Sequence, residues 1–185
     1  MAERDAPRTV ARREAAMLGI YLNDHVAGAT GGLELFRRAA GAHRGSETGA
    51  ILERLTGEIV EDRAALLDML RTLGVPVRRY KVYAGWVGEK LGRLKLNGRL
   101  LGRSPLSSLL ELEALRLGVE GKGAGWKTLR TVAERDDRLD AERLDGLIAR
   151  AERQVEELED LRVRTAADLF GVASAGTGQD VPGTR

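Results

Sequence analysis

Seven side chains in this sequence have the chemistry of a metal centre: His25, Glu58, Glu61, Asp62, Glu113, Glu120 and Glu152. Carboxylate and imidazole are suitable donors for iron and manganese. A carboxylate buried among apolar side chains is costly unless it is paired or ligates a metal. Asp62 stands on an apolar stripe where Leu or Met would be expected, with Glu58 one turn earlier and Glu61 adjacent. Glu113 and Glu120 share a face with Leu110, Leu117 and Ala124, while Glu152 and Gln154 flank the seam residue Ala151. His25 lies beside Leu22 and Ala29, next to Asp24. The same residues admit a second reading. The acids would form solvated faces or interhelical salt bridges with Arg63, Arg116 and Arg153, and His25 would be a satisfied core histidine.

A second group is cationic. Arg78, Arg79, Lys81, Lys90, Arg93, Lys95, Arg99 and Arg103 are accompanied by a single acid, Glu89, and interleave with Tyr80, Tyr83, Trp86, Leu91 and Leu94. Such a stretch could hold phosphates, on nucleic acid or at an anionic membrane surface. It reads equally as a connection whose apolar residues pack inward while its cations face water.

Other chemistries are excluded. The chain has no cysteine, which removes disulfides, zinc–thiolate sites, iron–sulfur clusters and thiol catalysis. With His25 and His43 as the two histidines, no Ser-His-Asp triad can be assembled convincingly. Gly121, Gly123 and Gly125 spell GxGxG but follow no strand, so they are not a nucleotide fingerprint. Lys and Arg number 30 against 28 Asp and Glu, so no global field draws the protein to nucleic acid. No apolar run spans a membrane, and the charged start, Met1 to Arg13, is not a secretory signal. The expected location is cytoplasmic.

The elements that must position these residues are helices. Leu, Ala, Arg and Glu dominate, and no run alternates as a half-buried strand would. The first helix is expected over about 13–42, with Leu18, Leu22, His25, Ala29, Leu33, Phe36 and Ala40 as its stripe. Gly28, Gly31 and Gly32 weaken its middle by roughly 1 kcal/mol each, which is tolerated where a backbone or ligand approaches closely. Ser46 caps a second helix with Leu52, Ile59, Leu66 and Leu73 at heptad spacing, ended by Gly74 and Pro76. Ser104-Pro105 starts a third, running to about Arg135. Its face has two registers. One follows Leu110, Glu113, Leu117, Glu120 and Ala124. The other follows Leu112, Leu115, Val119, Trp126 and Leu129, and turns both glutamates off the core. Gly118 to Gly125 marks tight packing or a kink rather than a ligand cradle. A polar turn, Asp136 to Asp140, precedes a fourth helix over about 141–170, with Leu144, Leu147, Ala151, Val155, Leu158, Leu161 and Thr165 as its stripe.

This predicts an all-α protein: an antiparallel four-helix bundle over 13–170, with a polar lead-in (1–12), a long basic crossover (77–104) between helices 2 and 3, and a disordered tail (171–185). Two helices, a long crossover and two more helices carrying inward acids resemble the ferritin-like superfamily, in its small bacterial members, over about residues 14–170. Metal-active members carry a Glu on each of two helices and Glu-x-x-His on the other two. Here the second helix reads Glu58-Ile59-Val60-Glu61, with Glu in the place of His, and the fourth reads Glu152-Arg153-Gln154-Val155, with Val there. The resemblance therefore implies a degenerate metal site. The preferred expectation is a non-enzymatic structural or interaction protein, working as a homodimer or with another protein partner. Iron or manganese binding through the seven residues above, and binding to nucleic acid or an anionic membrane through the crossover, are the alternatives.

Overall fold

The computed structural model describes residues 6–78 and 105–171, with side chains throughout except at 6–11 and 105. Among the described residues there are four helices and no strand: α1 Ala6–Ala42, α2 Glu47–Thr72, α3 Pro105–Ala133 and α4 Ala141–Phe170. Three of the four follow the expected bounds closely. The exception is α1, which begins seven residues before the expected start. Its first turn carries Pro7, pre-organised for a helix start, and the residues after it are rich in Ala and Arg.

The ends are set by local chemistry. The Ser46 hydroxyl accepts the Gly49 N–H at 3.1 Å, and Glu47 occupies the positive first turn of α2. At the other end Gly74 adopts a left-handed φ of 69°. The Val75 N–H then reaches back to the Leu70 carbonyl and the Gly74 N–H to that of Arg71, closing a Schellman motif. Asp140 caps α4 by accepting the Arg143 N–H, and Gly171 closes it in the left-handed region. The Ser104 cap proposed for α3 lies outside the described residues.

One core joins all four helices, with Leu22, Leu52, Leu70, Leu115, Leu144 and Leu158 among its fully buried members. Each such side chain contributes roughly 1.5–3 kcal/mol. On α3 the second register holds: Leu112, Leu115, Val119, Trp126 and Leu129 are buried, while Leu117 is 63% exposed. Five large apolar side chains outweigh a register that would desolvate two glutamates.

Close packing is tightest between α3 and α4 and between α1 and α2, followed by α1 with α3, and is sparse between α2 and α4. Charged side chains span that last gap in a ladder: Glu47–Arg164, Arg54–Glu157, Glu58–Arg153, Glu61–Arg150 and Asp68–Arg143. Between α1 and α3 the links are the Tyr21 hydroxyl donating to Thr128 at 3.1 Å and Arg38 on Glu111 at 3.2 Å.

Candidate functional site

The apolar seams of α2, α3 and α4 each place a polar residue in the middle of the molecule. On α2, Leu52, Leu55, Ile59, Asp62, Leu66 and Met69 alternate steps of three and four. On α3, Lys122 stands between Val119 and Trp126, and on α4, Gln154 between Ala151 and Leu158. The fold brings the three together. Lys122 Nζ donates to Asp62 Oδ2 and to Gln154 Oε1. Arg150 donates to Asp62 Oδ1 at 3.1 Å, and Gln154 Nε2 donates to Glu58 at 2.7 Å. Asp62 is 2% exposed and Gln154 fully buried.

The electrostatics follow from this burial. Desolvation lowers the Lys122 ammonium from its usual value, against the pull of Asp62. Glu58 is raised by burial, but the bonds from Gln154 and Arg153 outweigh that and hold it below the ordinary carboxylate value. The buried carboxylate thus finds its counter-charge in a lysine.

Next to this layer, between α1, α2 and α3, lies a largely apolar cavity of about 490 Å³. Tyr21, His25 and Phe36 line it from α1, Ile59, Asp62 and Leu66 from α2, and Leu115, Lys122 and Trp126 from α3. Glycines make the room. A Cβ added at Gly28, Gly32, Gly118 or Gly121 would meet nothing within 4 Å, and all four line the cavity. Gly125 does the opposite: its missing Cβ would stand 2.9 Å from the His25 ring. That ring also meets Tyr21 edge-on, with centroids 4.5 Å apart. The glycine cluster of α3 therefore packs tightly at Gly125, makes ordinary contact with Ala151 at Gly123 and meets no neighbour at Gly118 and Gly121, where the sequence suggested tight packing or a kink.

The seven residues expected as metal ligands are not assembled into a centre. Among the described residues no three His, Cys, Asp or Glu side chains form a group able to hold a metal ion. Asp62 is held by Lys122 and Arg150, Glu58 by Arg54 and Arg153, and Glu61 by Arg150. Glu120 pairs with Arg116, and Glu152 with Lys127 on the surface. Glu113 is half-buried on α3, close enough to Arg162 to act on its charge. His25 sits against Gly125 and Tyr21, and burial lowers its pKa. Of the proposed anion-binding set, Arg78 is described, and its backbone N–H donates to Asn23 Oδ1 at 2.7 Å. Arg79, Lys81, Lys90, Arg93, Lys95, Arg99 and Arg103 lie outside the described residues.

Sequence reasoning passed over Lys122, and treated Gln154 as a flanking residue rather than a seam position. Spacing was the signal for both. Lys122 fills the gap in the series Leu112, Leu115, Val119, Trp126, Leu129, and Gln154 continues Leu144, Leu147, Ala151.

No helix among the described residues is long and apolar enough to cross a membrane. No protein-family model, curated protein or solved structure matches the chain.

Proposed function

We propose that this protein is an antiparallel helical bundle of ferritin-like architecture that binds a small apolar molecule in the cavity between α1, α2 and α3. The order of the contacts supports the architecture. The α2–α4 ladder runs from Glu47–Arg164 to Asp68–Arg143, one number rising as the other falls, and Tyr21–Thr128 and Arg38–Glu111 do the same for α1 and α3. The connection between α2 and α3 leaves beside Asn23, which bonds both Pro76 and Arg78. It returns at the start of α3, near the level of Arg38. Those two levels of α1 are 15 residues apart, about 22 Å along a helix, which supports a crossover along the bundle's length.

The function rests on one observation: a largely apolar groove of about 490 Å³, open to solvent and lined by four glycines with no neighbour within 4 Å of their Cβ positions, of which Gly28, Gly118 and Gly121 are exposed. Ligand sites typically enclose roughly 300–1,000 Å³, with mostly apolar walls and a few polar groups. Each glycine costs its helix roughly 1 kcal/mol relative to Ala. Nothing in the surrounding packing requires that cost at these four positions. A binding role accounts for it, with Lys122 and Asp62 as the polar wall.

Binding should appear as stabilisation, because a ligand that binds only the folded chain raises its melting temperature. Thermal unfolding with and without naphthalene derivatives tests this. The expected result is a concentration-dependent rise in Tm that is lost in Gly32→Leu and Gly121→Leu, both of which fill the cavity. A rise that persists in both variants, or none in the original chain, refutes the reading.

A further inference from the structure

The groove follows the length of two neighbouring helices. Its lining on α1 runs from Tyr21 to Phe36 and on α3 from Ala114 to Leu129. These helices are bridged at two levels, by Tyr21–Thr128 and by Arg38–Glu111, so they keep the spacing of packed neighbours, about 8–10 Å between axes. Where His25 packs against Gly125 they are in contact. From that contact to Phe36 on α1 and Ala114 on α3 the groove extends about 16 Å along either helix. Gly28, Gly32, Gly118 and Gly121 all stand inside that stretch, and a Cβ on any of them would meet nothing within 4 Å. A long side chain at one of these positions would divide it.

The polar groups along the stretch make no demand on a ligand. Asp62 is 2% exposed and bonds Lys122 and Arg150. Arg63 donates from Nε to Thr30 at 3.1 Å, and Asp24 is exposed to water. The other lining is apolar, with Ala29 and Phe36 on α1, Ile59 and Leu66 on α2, and Leu115 on α3. Hydrophobic gain grows with the apolar area removed from water. In a site this long and only one inter-helix gap wide, a slender molecule covers more wall than a compact one.

We infer that the ligand carries a single unbranched hydrocarbon chain, which lies lengthwise in the groove between the His25–Gly125 contact and Phe36. This rests on the reading of the groove as a binding site and adds to it the ligand's class. An extended chain advances about 1.2 Å per bond, one third of the span of a residue, so about 13 bonds fill the stretch.

Sulfobetaines with octyl, decyl, dodecyl, tetradecyl and hexadecyl chains test it, titrated by calorimetry into the full chain below their micelle-forming concentrations. Affinity should rise about threefold per added methylene at first, and level off between dodecyl and hexadecyl. The branched 2-butyloctyl isomer has the carbons of dodecyl in a wider shape and should bind about tenfold more weakly. Gly32→Leu and Gly118→Leu should each move the levelling to a shorter chain. The series on the unaltered chain needs no variant, so a poorly folding substitution cannot mask the answer. Equal binding of the two isomers, or an unchanged rise through hexadecyl, overturns the inference. If naphthalene derivatives raise Tm and no sulfobetaine binds, this inference fails while the groove reading stands. If neither kind of probe binds, both fail.

Discussion

Between α2 and α4 the backbones stay apart, and long Arg and Glu side chains reach across the gap; α1 and α3 approach more closely, bridged by Tyr21–Thr128 and Arg38–Glu111, and glycines line an open groove along that side. The first wall carries the ladder from Glu47–Arg164 to Asp68–Arg143. The second has Gly28 and Gly32 on α1 and Gly118 and Gly121 on α3 lining the groove. The two walls are joined by a single polar layer, in which Lys122 of α3 reaches Asp62 of α2 and Gln154 of α4. The contrast shows how one bundle can have a filled side and an open side without a change of helix type. Side-chain length decides which side is which.

The largest expected effect comes from breaking the layer that joins the walls. Asp62→Ala leaves the Lys122 ammonium buried without its partner, and should cost about 3–5 kcal/mol in urea unfolding. Replacing Asp62, Lys122 and Gln154 together by Leu, Met and Leu should recover that loss, because well-packed apolar residues often match a buried ion pair in stability. A loss below about 1 kcal/mol in the single variant would show that the layer is not structurally important.

The open wall is sharpened by two substitutions one turn apart. Gly121→Ala enters vacant space and should stabilise the chain by about 1 kcal/mol through helix propensity. Gly125→Ala drives a methyl group into the His25 ring, which also packs edge-on with Tyr21, so it should be destabilising. Equal effects on the urea midpoint would erase the distinction between packed and vacant glycines.

His25, at the edge of the open wall, makes that region sensitive to pH. Burial holds its imidazole below the usual value of 6.5, with the Asp24 charge opposing. The folded chain therefore binds that proton more weakly than the unfolded chain does. This contribution is complete above pH 6.5 and is lost as pH falls through that value. On the other side Asp68, held low by its bond from Arg143, and Glu58 lose their contributions only at lower pH, from about 4.5 downward. Urea midpoints measured from pH 7.5 to 5.5 should fall for the original chain and stay level for His25→Gln. A level profile in both would remove His25 from the account.

The smallest effect belongs to single rungs of the ladder. Arg143→Ala removes an exposed pair with Asp68 and should cost about 0.2–1 kcal/mol, shrinking further in 0.5 M salt. A loss above 2 kcal/mol that is insensitive to salt would mean the ladder acts as a buried network.

Much of this was legible from spacing. Ser46, Gly74 and Asp136 to Asp140 marked the breaks between helices, because capping and left-handed φ are local demands. The period of three and four placed Asp62 on the seam of α2 and left its burial open; the structure buries it. Glu58–Arg153 is one of the interhelical pairings anticipated, whereas Glu120 meets Arg116 within α3. On α3, however, the spacing was compatible with two faces, and comparing their buried partners was needed to choose between them.

From sequence alone, then, came the number of described helices, the bounds of three of them, the buried stripes outside α3, and an acid on a seam in need of a counter-charge. The tertiary structure supplied the counter-charge, Lys122, and separated the glycines that touch a neighbour from those that do not. Capping, propensity and periodicity act within a few residues and are written along the chain. Which donor meets Asp62, and whether space remains beside it, depends on residues about 60 and 90 positions away, and distances of that kind are set only when the helices pack.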